Sequence, residues 1–448
     1  MSRLIVLSNR LPLGDAPSGG LVVALEDALA SSGGLWIGHH GIAEDPCTRL
    51  TSHDGASFDR ATFTLTESEH EGYYLGYANS VLWPICHGRA DLSQIEHGDL
   101  ETYRAVNARV AGLVAEILQP DDILWVQDYH FFPIATELRA RGVRNRIGFF
   151  LHIPFPSPQD LQALPNAEEV LSWLADFSLI GFQANRDVFN LRDCIRHITE
   201  LDEAMEGVIE FGGKSLNAAA FPIGIDAKAF AEEAKAARKS DRVRTLTGAD
   251  LMIGVDRLDY SKGLPQRFRA FQQLLETHED LHEQIAFLQI APPTREEVQA
   301  YQDIREETEH LAGRINGRFA TLNWTPIRYI HRAVPREILA GLFRQARIGL
   351  VTPLNDGMNL VAKEYVAAQR RNNPGVLILS RFAGAAEQMD AALLINPHDP
   401  YETAEAIATA FRMPLEERQD RHEALLREVT EKDVRWWSDA FLKQLAAA

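Results

Sequence analysis

The sequence predicts an α/β protein of two doubly wound lobes, each with a mostly parallel sheet that is covered by helices. At 448 residues the chain is longer than one hydrophobic core usually supports. Short apolar runs alternate with helical periodicity, which is typical of parallel sheets. A weaker stretch around Pro222 and Gly224 separates two groups of strands. The predicted domains are therefore residues 1–222, joined by the aromatic-rich C-terminal helix 433–448, and residues 223–432.

The predicted strands are short and apolar, as strands buried on both faces are. In chain order they are Leu4 to Leu7, Ile123 to Val126, Ile147 to Leu151, Leu179 to Phe182, Leu251 to Val255, Ile285 to Ile290, Ile348 to Val351, Val376 to Leu379 and Leu393 to Ile395. Helical periodicity is clearest after the fifth run, where Leu264, Phe268, Phe271 and Leu275 recur at the spacing of one helix face.

Charge and cysteine content exclude several classes of function. A net charge of −18 disfavours nucleic acid or an anionic membrane as the partner. Cys47, Cys86 and Cys194 lie far apart, so neither a disulfide framework nor a zinc site is indicated. Since the sequence shows no signal peptide and no long apolar run, we expect a cytoplasmic protein.

Two cations follow the predicted strand Leu251 to Val255. Arg257 and Lys262 lie in a turn that leads into the helix beginning near Leu264. Ligands bind at the carboxyl ends of strands in such sheets, and a helix N-terminus adds partial positive charge. The turn therefore predicts a diphosphate site. The competing interpretation pairs Arg257 with Asp256 or Asp259 at the surface and leaves Lys262 solvated.

A second cluster follows the first strand, Leu4 to Leu7. Arg10 stands at its end, and Gly19 and Gly20 precede the next helical pattern. Glycines let the backbone approach a ligand closely, and an arginine guanidinium can donate two parallel hydrogen bonds to a phosphate. A simple turn is the competing interpretation of the two glycines.

Asp128 and His152 form a third cluster. Asp128 follows the run Ile123 to Val126, and His152 follows Ile147 to Leu151 and precedes an Ile-Pro turn. Residues at strand ends are good candidates for a binding site. His152 could instead be a hydrogen-bonded core residue.

The fourth cluster follows the run Ile348 to Val351. Asp356 and Gly357 predict a turn whose successive N–H groups open a helix, and Glu364 falls within that helix. Such a loop can offer a carboxylate to sugar hydroxyls, amides to a phosphate, and Glu364 to a ribose diol. The alternative makes Asp356 an N-cap and Glu364 a surface residue.

These clusters belong to a longer series of ordered motifs. They are Ser8-Asn9-Arg10, Ser18-Gly19-Gly20-Leu21, Val81-Leu82-Trp83-Pro84, Asp128-Tyr129-His130, His152-Ile153-Pro154-Phe155-Pro156, Phe221-Pro222-Ile223-Gly224-Ile225, Arg257-Leu258-Asp259-Tyr260-Ser261-Lys262-Gly263 and Asp356-Gly357-Met358-Asn359-Leu360-Val361-Ala362-Lys363-Glu364. The series resembles the trehalose-6-phosphate synthases, retaining glycosyltransferases of family 20 with the GT-B fold. The resemblance implies two Rossmann-like lobes, the N-terminal one for the acceptor and the C-terminal one for the nucleotide sugar, with the active site in the cleft between them.

The resemblance also implies a reaction. Glucose would pass from a nucleoside diphosphate glucose, UDP-glucose first, to glucose 6-phosphate, forming α,α-trehalose 6-phosphate. The departing phosphate oxygen would accept the proton of the incoming hydroxyl, so no protein nucleophile is implied. No cofactor or metal is implied, and the sequence contains no Asp-x-Asp triplet. The partners would be these two small molecules, with neither nucleic acid nor membrane, and a homo-oligomer is left open.

Individual roles follow from the resemblance. The implied donor-binding residues are Gly19, Gly20, Arg257, Lys262, Asp356, Asn359, Leu360, Val361, Ala362, Lys363 and Glu364. The implied acceptor-binding residues are Arg10, Tyr74, Trp83, Asp128 and Arg295. The implied catalytic set is Arg257, Lys262, His152, Asp128 and Asp356, with His152 beside the reacting anomeric carbon.

One segment departs from the family pattern. The family reads Gly-Leu-Trp-x-Gly-Trp-Ser-Gly where this chain reads Gly34-Leu35-Trp36-Ile37-Gly38-His39-His40-Gly41. His39 and His40 are either an adaptation to another sugar or a tolerated change. The runner-up function is a glucosylglycerol-phosphate synthase or a related pseudo-glycosyltransferase. A non-catalytic sugar-phosphate sensor is disfavoured, because Lys262, Asp356 and Glu364 are all present.

Overall fold

The chain folds into two compact units. The computed structural model describes residues 3–11, 13, 22, 25–26, 28–30, 33–55, 57–198, 209–211, 213–237 and 248–448. The first unit comprises Met1–Pro222 and Arg435–Ala448, and the second comprises Ile223–Val434. Within the described ranges, no helix combines the length and apolar character needed to cross a membrane.

The first unit is built on a mostly parallel sheet. Its described strands are β1 (Leu4–Arg10), β2 (Gly34–Ile42), β3 (Thr51–His53), β4 (Asp59–Leu65), β5 (Ile123–Gln127), β6 (Arg146–Phe150), β7 (Leu179–Phe182), β8 (Ile209–Phe211), β9 (Lys214–Leu216) and β10 (Ala218–Ala220). The sheet order is β10-β7-β6-β5-β1-β2-β4-β3, in which β3 is antiparallel to β4, while β8 and β9 form a separate antiparallel pair. In this order β2, β4 and β3 lie on one side of β1, and β5, β6, β7 and β10 lie on the other. The point where a strand order reverses is where ligands bind in such sheets, so β1 and β5 mark that point.

Helices surround this sheet. The described α-helices are Glu67–Glu69, Trp83–Cys86, His97–Ile117, Ile134–Ala140, Pro158–Leu161, Ala167–Leu174 and Asn185–Ile198, with Val434–Ala447 from the end of the chain and 3₁₀ turns at Ala90–Leu92 and Tyr129–Phe131. A π-helix spans His70–Leu82. Phe441 of the C-terminal helix fits against Gly148 and Gly181, where an added methyl group would approach its ring to 2.8 Å. The same ring stacks on Trp125 at 4.9 Å, so the last helix is part of the first unit's core.

The second unit contains a fully parallel sheet. Its described strands are β11 (Asp250–Val255), β12 (Ile285–Ile290), β13 (Ile327–Ile330), β14 (Ile348–Val351), β15 (Val376–Ser380) and β16 (Leu393–Ile395), in the order β13-β12-β11-β14-β15-β16. Its described helices are Ala227–Ala236, Leu264–Thr277, Gln299–Phe319, Arg336–Gln345, Leu360–Ala368, Pro400–Arg412 and Leu415–Glu431, with 3₁₀ turns at Tyr260–Lys262, Glu279–Leu281 and Gly384–Glu387. The strand order reverses between β11 and β14, which predicts a ligand site at their carboxyl ends.

The prediction of two doubly wound parallel sheets is confirmed. Every run predicted as a strand is a strand, and Phe268, Phe271 and Leu275 are buried in the second unit's core as their spacing predicts. The sequence did not reveal β2, β4 and β13, because polar residues interrupt their apolar character.

Candidate active site

The loop after β11 turns sharply before the helix Leu264–Thr277. Gly263 has a φ of +66°, and a methyl group there would lie 2.5 Å from the carbonyl oxygen of Thr352. Both the conformation and the space therefore require glycine. The turn leaves Lys262 largely buried at the sheet edge, while Arg257 is exposed beside it.

The ends of β11 and β14 meet through an ion pair. The Nζ of Lys262 donates to Oδ2 of Asp356 at 2.5 Å, and both side chains are close to 90% buried. Asn359 donates its Nδ2 to the same oxygen at 3.1 Å. The structure thus brings together the first and fourth clusters at the point where the strand order of the second unit reverses.

The helix Leu360–Ala368 begins at this ion pair. Asn359 precedes it with a left-handed φ of +76°. The N–H groups of the first turn of a helix have no partner within it, and they favour anions. Leu360, Val361 and Ala362 therefore place backbone donors beside Lys262 and Asp356.

Burial shifts the pKa values of Lys363 and Glu364 in opposite directions. The Nζ of Lys363 donates to the carbonyl of Ile223 at 2.7 Å and to Oε1 of Gln388 at 2.9 Å. Burial lowers the pKa of Lys363 to about 7, and this side chain anchors the helix in the interior. Burial raises the pKa of Glu364 to about 7, opposed by the charge of Arg336.

Arg267 supports the loop after β11 through buried hydrogen bonds, and it was not among the predicted site residues. Its side chain is fully buried and donates to Asp256 Oδ2 at 2.7 Å, Gln289 Oε1 at 2.8 Å and Thr352 Oγ1 at 2.9 Å. Burial raises the pKa of Asp256, and the nearby charge of Arg267 opposes that rise. Arg267 falls on the apolar face of its helix, four residues before Phe271, and a charge in that position was the available signal.

Arg295 lies in the second unit and is bound by two neighbours. Its Nη1 donates to the hydroxyl of Tyr301 at 2.6 Å and lies 3.5 Å from Oδ2 of Asp259. The Tyr301 hydroxyl donates to the same carboxylate oxygen at 3.0 Å. Asp259 belongs to the loop after β11, so this network places Arg295 beside the loop that carries Arg257.

Arg10 and Tyr74 come together in the first unit. The Nη2 of Arg10 donates to the Tyr74 hydroxyl at 2.7 Å. The Tyr74 ring stacks on His70 with centroids 5.1 Å apart and on His130 at 5.9 Å. Trp83 is only 4% exposed, so most of its indole belongs to the core of the first unit.

Asp128 and His152 are also in contact. The backbone N–H of His152 donates to Oδ1 of Asp128 at 3.2 Å. On the ring, Nε2 lies 2.9 Å from Oε1 of Gln127, and Nδ1 lies 3.1 Å from Nε2 of Gln183. Since the Gln127 oxygen can only accept and the Gln183 amide can only donate, His152 is a neutral Nε2–H tautomer. Burial lowers its pKa to about 3.

Backbone strain marks the same residues. In the part of the chain that the structure describes, the non-glycine residues with positive φ are Asp128, Glu283, Arg295 and Asn359. Such conformations cost about 1 to 3 kcal/mol and persist mainly at functional sites. All but Glu283 are residues that the sequence assigned to binding.

The predicted site residues form two sets, one in each unit. Arg10, Tyr74, Trp83, Asp128 and His152 belong to the first unit, and Arg257, Lys262, Arg295, Asp356 and the segment 359–364 belong to the second. Gly19 and Gly20 lie outside the described residues.

Two doubly wound parallel sheets, each with charged and polar side chains where its strand order reverses, define a glycosyltransferase of the GT-B fold. The model of glycosyltransferase family 20 matches residues 13–447. The chain belongs to that family, as its motifs predicted.

Relatives match almost the whole chain. The trehalose-6-phosphate synthase of Cronobacter sakazakii is 45% identical over 453 residues, covering 99% of this chain and 95% of that protein. A UDP-forming α,α-trehalose-phosphate synthase from Burkholderia xenovorans, solved in complex with glucose-6-phosphate, is 48% identical with a TM-score of 0.94, covering 99% and 100% of the two chains. An E. coli structure bound with UDP-2-fluoro glucose is 44% identical with a TM-score of 0.95, covering 99% of each.

Proposed function

We propose that the chain transfers glucose from UDP-glucose to glucose 6-phosphate, with retention and without a metal ion, and forms α,α-trehalose 6-phosphate. The observation that carries the proposal is the Lys262–Asp356 ion pair beside the N-terminus of the helix Leu360–Ala368. The substrate complexes of its relatives support the same donor and acceptor here.

The second unit would hold the donor. Arg257, Lys262 and the amides of residues 360–363 would bind the diphosphate, with Asp356 and Asn359 available to the glucose hydroxyls and Glu364 to the ribose diol. Breaking the glycosyl–phosphate bond develops negative charge on the departing diphosphate. Cations and amides that are already in place therefore stabilise the transition state more than the ground state.

The acceptor would be bound by the residues that the family motifs imply for it. Arg10, Tyr74 and Arg295 would bind the phosphate, and Trp83 and Asp128 would shape the sugar site. The contact from the backbone of His152 fixes one oxygen of Asp128. A carboxylate held in this way would meet a sugar hydroxyl in a defined orientation.

The chemical step needs no base from the protein. The bond between the donor anomeric carbon and the phosphate oxygen breaks, and the anomeric oxygen of the acceptor bonds to the same face of that carbon. The hydroxyl proton passes to the departing phosphate oxygen, and UDP leaves. Both ring nitrogens of His152 are hydrogen-bonded and its pKa is about 3. A role as general base is therefore disfavoured, and His152 would act as a neutral group beside the anomeric carbon.

The test is a matrix of donors and acceptors. UDP-, ADP- and GDP-glucose are each supplied with glucose 6-phosphate or glycerol 3-phosphate, with and without EDTA, and the product anomers are identified by NMR. We expect an α,α-linked product from UDP-glucose and glucose 6-phosphate that EDTA does not suppress. Turnover with glycerol 3-phosphate alone would favour the glucosylglycerol-phosphate reaction. An inverted anomer or loss of turnover in EDTA would overturn the proposed mechanism.

A matched pair of variants tests the donor assignment. Removal of one oxyanion donor in an enzyme typically costs about 10²- to 10³-fold in kcat, and we expect at least that loss for Arg257→Ala. The control is Arg269→Gln, on the neighbouring helix, where Arg269 pairs with Glu307 at the surface. Wild-type turnover in Arg257→Ala would show that Arg257 does not stabilise the departing group.

A further inference from the structure

His39 lies next to the arginine assigned to the acceptor phosphate. It stands near the carboxyl end of β2, where it is the partner of Arg10 in the parallel β1–β2 register. Its ring is partly buried and lies 5.9 Å from the ring of Phe63 on β4. The family pattern that the sequence resembles has tryptophan at this position.

The charged groups around His39 are cationic or become so on protonation. They are Arg10 from β1, His40 from β2 itself and His70 from the π-helix His70–Leu82. Burial first, and then these three groups, lower the pKa of His39, while its hydrogen bond to the backbone of Gly41 opposes them.

The hydrogen bond of His39 shows which ring atom titrates. Nε2 lies 2.9 Å from the carbonyl oxygen of Gly41. Because a carbonyl only accepts hydrogen bonds, Nε2 carries a proton in both charge states of the ring. Nδ1 is therefore the atom that gains or loses a proton.

Tyr74 connects His70 to Arg10. Its hydroxyl accepts from Arg10 and its ring stacks on His70. Arg10, His39 and His70 thus surround one small region at the ends of β1 and β2. Positive charges that lie close together repel one another, which disfavours protonation of His39. A bound phosphate dianion would attract those charges and favour its protonation.

We propose that His39 takes up a proton from solvent at Nδ1 when the acceptor phosphate binds beside Arg10. This inference rests on the proposed function, since it concerns the acceptor site of that reaction. The ligand class is a phosphate monoester, and its binding is coupled to protonation of the protein.

The sign of the pH dependence follows from the free state. Because the pKa of free His39 is lowered, the ring is neutral near pH 7, and the bound anion raises that pKa. Acceptor affinity is then highest on the acid side and falls as pH rises through the pKa of the bound state. A charge-assisted hydrogen bond stabilises a complex more than a neutral one does. The difference corresponds to a change of about tenfold in affinity.

Calorimetry separates this effect from titration of the phosphate itself. Binding of glucose 6-phosphate is measured at pH 6.5 in two buffers that differ in ionisation enthalpy, for wild type and His39→Gln. Glutamine can still donate to Gly41 but cannot titrate. We expect the variant to take up less proton, and its acceptor KM to exceed that of wild type by about two- to fivefold at pH 6.5 but to match it at pH 8.5, because a tenfold coupling is complete only below the lowered pKa of the free ring.

Two further proteins complete the design. The double variant His39→Trp/His40→Ser restores the family sequence and should also take up less proton. The control His97→Gln changes an exposed histidine at the start of another helix of the first unit and should behave as wild type. The circular dichroism spectrum and the melting temperature of each variant, compared with those of wild type, verify that it is folded.

Each outcome decides the question. Equal proton uptake and parallel KM–pH curves for wild type and both His39 variants would overturn the inference, even with full turnover of glucose 6-phosphate. Uptake that disappears with His39 supports it, even if product formation fails and the proposed function with it. A wild type that does not bind glucose 6-phosphate overturns both.

Discussion

Substitution of Arg267 by methionine tests how the donor loop is supported. Methionine keeps a long unbranched side chain but removes the donors to Asp256, Gln289 and Thr352. The Asp256 carboxylate would remain buried without its nearest cation. Arg267 touches no predicted substrate atom, so the primary effect should be on stability.

The structure sets the magnitude of the loss. Removing one partner of a buried ion pair costs about 3 to 5 kcal/mol. For a unit of this size, 1 kcal/mol shifts the melting temperature by about 2 to 4 °C. The transition of the second unit should therefore fall by roughly 10 °C.

The loss should depend on pH. Burial raises the pKa of Asp256, and without Arg267 it rises further. A carboxyl group whose folded pKa exceeds its unfolded value contributes stability at low pH and loses it as pH rises through the folded pKa. The deficit of Arg267→Met relative to wild type should therefore be smaller at pH 5 than at pH 8.

Differential scanning calorimetry at both pH values measures these shifts. The double variant Arg267→Met/Asp256→Asn removes the unpaired carboxylate charge of Asp256. It should recover more than half of the fall in melting temperature. Arg314→Met, at an exposed arginine that donates to Gln272, is the control and should melt within about 2 °C of wild type. An Arg267→Met protein that also melts within that range, or a double variant with no recovery, would refute this reasoning.

Three titrating residues give further predictions. The pKa of His152 is about 3, well below that of an unfolded histidine. The free energy of unfolding should therefore fall as pH drops from about 6.5 towards 3. Urea titrations should show a smaller fall in this free energy for His152→Gln. The pKa of Glu364 is about 7, and a ribose diol would favour its ionised form; calorimetry should detect proton release on UDP binding at pH 7, and Glu364→Gln should abolish it. The pKa of Lys363 is about 7, so the free energy of unfolding should rise by about 1.4 kcal/mol per pH unit between pH 7 and 10; Lys363→Met should remove that slope in urea titrations.

The sequence predicted the sheets better at their centres than towards their edges. Buried strands such as β5 and β12 consist almost entirely of apolar residues, and their pattern alone identifies them. The edge strand β13 has the sequence Ile-Arg-Tyr-Ile, and β2 ends in a polar, partly exposed segment. A strand with one exposed face or end lacks a continuous apolar run, which explains why those strands were missed.

The candidate site shows a similar division. Arg257, Lys262 and Asp356 follow predicted strands directly, so topology alone brings them to one sheet edge. Arg267 and Tyr301 act through partners that are distant in sequence, and only the folded chain reveals those contacts. Each lies within a helix, away from any predicted turn or strand end.

Gly224 has a consequence for how this architecture can be altered. A methyl group on it would lie 2.1 Å from the carbonyl oxygen of Lys432, so the chain enters and leaves the second unit at adjacent points. A segment with adjacent ends can be exchanged as an insert without stretching the connections around it. Grafting residues 223–434 between family members should exchange nucleotide preference. The preference for the acceptor sugar, which Trp83 and Asp128 of the first unit would shape, should stay with the host. Recombination at one pair of junctions would then let these two preferences evolve separately.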